Sequence, residues 1–287
     1  MAGGVTQDEF RKYIAEFVGA FFLTMGGMLV LIGGNALIAV AAAQGAILGI
    51  MIYLFGPLSG GHFNPAISAA MFLQKKLDTR TFLFYMAFQV VGATVGALIA
   101  VSVLPIVPWN QSAERGATLG ILTSAPTTPF FSPGGAFLLE VLMTFMLATS
   151  VSTIVAGGDT MSKMSGALIG GTLFACILFG GAFTGASLNP ARSLGPAFVS
   201  GTNQVIWASI WLYIVGPFIG AALAAVVFMW FKGELKISMT TSSAPVPAQV
   251  AVPPAIAPSP LPPPPDQLPL PSSVVVPQAP EPPKPPA

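Results

Sequence analysis

Six stretches of this chain, near residues 13–34, 37–56, 81–104, 135–156, 164–183 and 204–231, are apolar over about 20 residues or more. A hydrocarbon core ~30 Å thick takes about 20 residues of helix to cross. Each stretch therefore reads as a membrane span, and no other feature limits the fold as strongly. Charged residues make up only 7% of the chain, against about 25% in a soluble domain. Net charge is +1 with no basic block, so nucleic acid is not an expected partner. The single cysteine, Cys176, excludes an intramolecular disulfide, and one histidine, His62, leaves no basis for a His-based metal site or triad. No metal and no cofactor is expected. The first apolar run outlasts a cleaved signal peptide and reads as the first span.

The charges that remain are placed asymmetrically. In a six-span topology Arg11, Lys12, Lys75, Lys76, Arg80, Lys163, Lys232 and Lys236 fall on one side, and Arg115 on the other. The positive-inside rule puts that basic side, and both termini, in the cytoplasm. Residues 1–12 then form a cytoplasmic N-terminus, 13–231 a membrane domain, and 232–287 a tail. The membrane domain divides into 13–104, an external loop 105–134, and 135–231. The tail is Pro-Ala-Val rich, with Pro262 to Pro265 in a row. It reads as disordered and polyproline-leaning, with no partner assigned. Asn110-Gln111-Ser112 in the loop fits a glycosylation acceptor only formally.

Two segments, 64–74 and 189–199, are apolar but half a span long. Each opens on Asn-Pro-Ala: Asn64-Pro65-Ala66 and Asn189-Pro190-Ala191. An Asn before a Pro reads as an N-cap followed by the first helical position. Each triplet follows a Gly-rich turn, Ser59-Gly60-Gly61-His62 and Thr184-Gly185-Ala186-Ser187. Irregular backbone at membrane depth is tolerated only where protein buries it or it lines water. Glu16 lies 48 residues before Asn64, and Glu140 lies 49 before Asn189. With three spans per half, the second copy enters the membrane upside down, and the site of an inverted repeat lies at the repeat interface. The expected fold is an all-α membrane protein: six transmembrane helices plus two re-entrant half-helices in an inverted 3+3 repeat. Three glycine pairs spaced i, i+4 (Gly92/Gly96, Gly166/Gly170, Gly216/Gly220) mark expected helix contacts.

These residues resemble the major intrinsic protein family, the aquaporins and glycerol facilitators. Ser59 to Ala66 and Thr184 to Ser193 look like its two signature loops. Ala15-Glu16-Phe17 and Val215-Gly216-Pro217-Phe218 are further matches. The resemblance spans roughly residues 10–232 and implies a homotetramer with one pore per subunit in the plasma membrane. It also implies an acceptor ladder from the carbonyls of Gly60, Gly61, His62, Phe63, Gly185, Ala186, Ser187 and Leu188. Glu16 and Glu140 would brace the loops by accepting their backbone N–H groups. Arg192 would stand in the outer constriction, with Gln44, Ile177 and Ala186 around it.

The expected function is a passive channel passing water in single file while excluding protons and ions. Neutral Asn amides donate without titrating, and helix N-termini add a positive potential. Water-selective members usually carry an aromatic and a histidine where Gln44 and Ile177 stand here. That departure keeps a second reading open, a channel for glycerol or another small neutral solute. Against glycerol, Ser193 and Ala197 replace the Asp and Lys typical of facilitators. A secondary transporter would need coupling carboxylates, and the only deep ones, Glu16 and Glu140, are symmetric. A membrane scaffold would not need intact motifs. No nucleophile–base pair or phosphate loop supports an enzyme.

Overall fold

A computed structural model describes residues 4–33, 35–103, 132–201 and 204–235. All of them fall in one compact unit, Met1–Ser238. Most of the external loop with Asn110 and Arg115, and the tail from 236 with Lys236, lie outside the described residues. The elements are α1 (Gln7–Ile32), α2 (Leu37–Ser59), α3 (Pro65–Leu73), α4 (Thr79–Ser102), α5 (Pro133–Ala156), α6 (Gly158–Lys163), α7 (Ser165–Thr184), α8 (Pro190–Val199) and α9 (Gln204–Phe231). Six of them are long and apolar enough to cross a membrane: α1, α2, α4, α5, α7 and α9.

Two features differ from expectation beyond shifts of a few residues at the span ends. α1 starts at Gln7, inside the segment assigned to a cytoplasmic N-terminus. The cause is a capping box: Thr6 Oγ1 accepts from Glu9 N at 3.2 Å, and Thr6 N donates back to Glu9 Oε2 at 2.7 Å. Polar residues thus extend an apolar span outward by more than a turn. The short α6 was not expected, because its sequence Gly158-Asp159-Thr160-Met161-Ser162-Lys163 carries no apolar period.

α3 and α8 are the two half-helices, 9 and 10 residues long. At 1.5 Å per residue they measure about 14 and 15 Å, so end to end they match one ~30 Å crossing. Each opens as the Asn-Pro signature predicts. Asn64 Oδ1 accepts from Ala66 N at 2.9 Å, and Asn189 Oδ1 accepts from Ala191 N at 2.9 Å.

The packing follows the repeat. α1 lies on α4 and α5 lies on α9, while α2 and α7 meet where the two halves join. Each half-helix packs across that junction, α3 against α9 and α8 against α4. Leu54, Val91, Leu138 and Leu142 are each more than half exposed. Such outward apolar faces suit contact with lipid, where no hydrophobic force drives helices together and close backbone approach must do so.

The glycines supply that approach. A Cβ on Gly45 would lie 2.7 Å from Gly170 O, and one on Gly49 would lie 2.7 Å from Gly166 O; Gly166 and Gly170 meet the carbonyls of Gly49 and Gly45 in return. Gly92 and Gly96 face the Phe17 and Phe21 carbonyls, and Gly220 faces that of Val141. The Gly45/Gly49 half of the α2–α7 contact had no counterpart among the expected pairs. A backbone carbonyl cannot swing aside as a side-chain tip can. Gly49→Ala is therefore expected to cost about 1–3 kcal/mol, the usual range for overpacking. Gly171→Ala, on the same helix pair but with open space around it, is expected to stay within about 0.5 kcal/mol. Thermal unfolding of the two purified variants in one detergent tests the contrast; equal melting temperatures would refute it.

Candidate functional site

The site is built outward from two buried carboxylates. Glu16 on α1 and Glu140 on α5 are both 0% exposed. Glu16 Oε1 accepts from Ser59 Oγ at 2.6 Å and His62 N at 3.0 Å, and Oε2 accepts from Phe63 N at 2.6 Å. Glu140 Oε1 accepts from Thr184 Oγ1 at 2.7 Å and Ser187 N at 3.0 Å, and Oε2 accepts from Leu188 N at 2.8 Å. The same three donor types meet each carboxylate. A buried carboxylate so satisfied is tolerable where an unpaired one is not.

These bonds hold a backbone that would not stay in place unaided. The chain leaves α2 through Gly60 and Gly61 (φ 92° and 67°) and passes Phe63 at φ 49°. It leaves α7 through Gly185 at φ 76°, with Ala186 and Leu188 at φ 45° and 55°. Glycine takes these angles freely, but a residue with a Cβ held in a sparse region costs of order 1–3 kcal/mol. Phe63 and Leu188, two of the strained residues, are those whose N–H groups end on the glutamates. Left-handed turns aim the loop carbonyls away from the helix direction and let each Asn reach inward.

The two Asn-Pro-Ala motifs meet. Asn64 Nδ2 donates to Leu188 O at 2.8 Å, and Asn189 Nδ2 donates to Phe63 O at 2.9 Å. Each motif is thus pinned to the loop of the other half, far away in sequence. An amide NH₂ carries two hydrogens; one is used in this crossing, so each Asn keeps one. Both Asn side chains border a narrow cavity also lined by Gly61, His62, Ser187, Leu188, Gln44 and Arg192. Its volume is about 20 Å³, on the order of what one water needs. Leu23, Leu48, Leu147 and Leu173 form its greasy walls.

Arg192, in the first turn of α8, lines this cavity. Its Nε donates to Gln44 Oε1 at 3.1 Å, and Nη2 approaches Gly185 O at 3.5 Å. Both partners are neutral, so neither cancels the guanidinium charge. Of the four residues expected around the constriction, the structure brings Gln44 and Arg192 together on the cavity wall. Ile177 and Ala186 are 1% and 0% exposed, sit in the apolar core, and are not among the lining residues. The expected carbonyl ladder divides likewise. Gly61, His62, Ser187 and Leu188 line the cavity, whereas Gly60, Phe63, Gly185 and Ala186 are not among its lining residues. Phe63 O and Leu188 O each already accept one Asn hydrogen, with a second lone pair remaining.

Several supporting residues carried no motif. Tyr85 Oη donates to Ser59 O at 2.6 Å, and Tyr213 Oη to Thr184 O at 3.0 Å. His62 Nδ1 lies 3.1 Å from Ser68 Oγ, and Ser187 Oγ contacts Ser193 Oγ at the matching place. Aligning the halves on Asn64 and Asn189 would have exposed Ser59/Thr184 and Ser68/Ser193 as pairs; Tyr85 and Tyr213 stand at a different offset and would not have aligned. Gln89 Nε2 donates to Glu16 Oε2 at 2.7 Å and to Ser68 Oγ at 3.0 Å; at the offset that pairs Gly92 with Gly216, the residue on α9 is Tyr213. Cys176 is buried, its Sγ 3.7 Å from Met143 O.

Comparison with known proteins agrees with this architecture. The model of the major intrinsic protein family matches residues 5–228. The glycerol uptake facilitator protein-like 6 of Lactiplantibacillus plantarum is 35% identical over 216 residues, 75% of this chain and 95% of its own. Aquaporin NIP3-1 of Arabidopsis thaliana is 34% identical over 232 residues, 79% of this chain and 68% of its own. The X-ray structure of the aquaglyceroporin from Plasmodium falciparum shares the fold. Its TM-score is 0.60 at 23% identity, covering 77% of this chain and 95% of that one. The chain belongs to the major intrinsic protein family. It is a membrane channel for water or small solutes, not an enzyme.

Proposed function

We propose that this channel conducts water passively in single file and excludes protons and ions. The observation that carries the reading is the pair of neutral amides, Asn64 and Asn189, each bonded to the other half's loop and both bordering one cavity. A water oxygen there accepts the remaining hydrogen of each amide. Its own hydrogens then turn outward along the file, and the chain of water-to-water hydrogen bonds is interrupted. A cation meets the positive ends of α3 and α8, each worth roughly half a charge. It also meets Arg192, and it must shed water in a passage with few oxygens to replace it. This is the general logic of aquaporin-type selectivity.

A second reading is that glycerol or another small neutral solute passes as well. Gln44 and Ile177 occupy the places where an aromatic and a histidine would narrow and polarise the filter, and one relative is named a glycerol uptake facilitator-like protein. On both readings Gln44 and Arg192, which line the cavity, act as the filter, while Ile177 and Ala186 lie in the apolar core, and Glu16 and Glu140 brace the loops. The basic helix ends carrying Arg11, Lys75, Lys76, Arg80, Lys163 and Lys232 support a cytoplasmic placement of both termini, in a plasma membrane. A homotetramer is the assembly we propose, and the tail from 232 to 287 is given no partner.

Stopped-flow light scattering of proteoliposomes tests this. Shrinkage in an impermeant osmolyte should run at least about tenfold faster than in empty vesicles, a gap too large for bilayer leakage alone. Re-swelling in glycerol separates the second reading from the first. Shrinkage at the empty-vesicle rate would refute both.

A further inference from the structure

The two halves of the cavity wall are related residue by residue, and one pair breaks the relation. On α5 and α7, Val151 and Ile169 both line the cavity. At the same offsets that relate Glu16 to Glu140 and Asn64 to Asn189, the first half carries Gly27 on α1 and Gln44 on α2. One end of the passage is walled by an aliphatic pair; the other is walled by an amide backed by a glycine.

Gln44 is 0% exposed and its orientation is determined. Its Oε1 accepts from Arg192 Nε; turned over, the amide would set a donor against a donor. Nε2 then has no hydrogen-bond partner among the described residues. The amide lies back against α1, in the space that a side chain at 27 would fill. A Cβ on Gly27 would stand 2.8 Å from Gln44 Nε2 and 3.0 Å from Cδ. A glutamine tip is flexible, so it would yield, and because Gln44 lines the cavity the direction open to it is the lumen.

We propose that Gly27 is a positioning residue that sets the aperture of the filter. Its missing side chain is the niche into which Gln44 withdraws, leaving room beside Arg192 for neutral polar solutes broader than water, such as small polyols. This rests on the reading of the cavity as the solute path, and specifically on its second form, in which glycerol passes. It assigns a selectivity role to a glycine that touches no solute and lies outside both signature loops.

The test compares wild type, Gly27→Ala, Gln44→Ala and the double variant in proteoliposomes, with water and glycerol as the probes. Gly27→Ala should lower glycerol flux about tenfold, the scale on which one carbon group discriminates in a solute site. Water flux should change less than about twofold, since water is the narrower probe. The double variant should regain wild-type glycerol flux or exceed it. A purely structural glycine would lower both fluxes together, and that result overturns the proposal. So does an unchanged glycerol-to-water ratio, or a double variant that does not recover. A wild type that conducts water but no glycerol overturns the aperture claim and leaves the water channel standing. A wild type that conducts neither refutes the channel reading itself, and the aperture with it.

Discussion

Glu140→Leu is expected to destabilise the folded channel by about 3–5 kcal/mol, the usual cost of breaking a buried charged network by removing one partner. The substitution strands three donors at once: Thr184 Oγ1, Ser187 N and Leu188 N. None can turn to solvent, because all three residues are buried. An unsatisfied buried donor costs about 1–3 kcal/mol by itself. Leu188 also loses the bond that holds it at φ 55°, so the loop should relax toward ordinary angles. With it goes Leu188 O, the acceptor for Asn64. Whole-protein stability is about 5–15 kcal/mol, so this one change consumes a large share of it. Glu140→Gln should fall between, since it keeps one acceptor oxygen but turns an NH₂ toward an N–H. Glu16→Leu should cost more than Glu140→Leu, because Gln89 is stranded as well. Thermal unfolding in detergent gives the order. A Glu140→Leu protein melting within a few degrees of wild type would show that the carboxylate holds nothing.

Arg192→Val is expected to raise proton and sodium leak by one to three orders of magnitude while water flux stays within about twofold. Among the described residues the guanidinium's hydrogen-bond partners are the neutral oxygens of Gln44 and Gly185, so its charge acts on whatever enters. At about 4 Å and an effective dielectric near 20, a monovalent cation is repelled by roughly 4 kcal/mol, or about three decades in rate. Screening by the file of water lowers that figure, which sets the lower bound. Water gains little, because it carries no charge and the two Asn amides still donate to it. The cation barrier does not vanish either, since desolvation and the α3 and α8 N-termini remain. Vesicles loaded with a pH-sensitive dye, read beside light scattering, separate the two fluxes. Equal cation leak in wild type and variant would place Arg192 outside the conducting path.

The comparison of sequence with structure divides by the range of the forces involved. Six spans were legible because crossing hydrocarbon demands a run of apolar residues, whatever surrounds it. Both half-helix starts were legible because an Asn cap and a Pro at the first position act within four residues. The start of α1 was missed for a related reason: Thr6 and Glu9 form a local signal, but it lies in polar sequence that a hydropathy reading discards. The Gln89 support and the Gly45/Gly49 contact were not legible. Each depends on which helix arrives opposite, and no local signal records that.

What the chain determined by itself is therefore its class and its motif positions: six spans, two capped half-helices, a duplicated carboxylate. Only the tertiary structure decided that Asn64 and Asn189 reach each other's loops, that Gln44 bonds Arg192 while Ile177 and Ala186 pack in the apolar core, and that Gly27 leaves space for an amide. The reason is physical. Caps and hydrophobic runs are governed by neighbours along the chain, whereas the width of a passage is set to a fraction of an ångström by side chains from different helices. Those side chains share no sequence signal until packing brings them together.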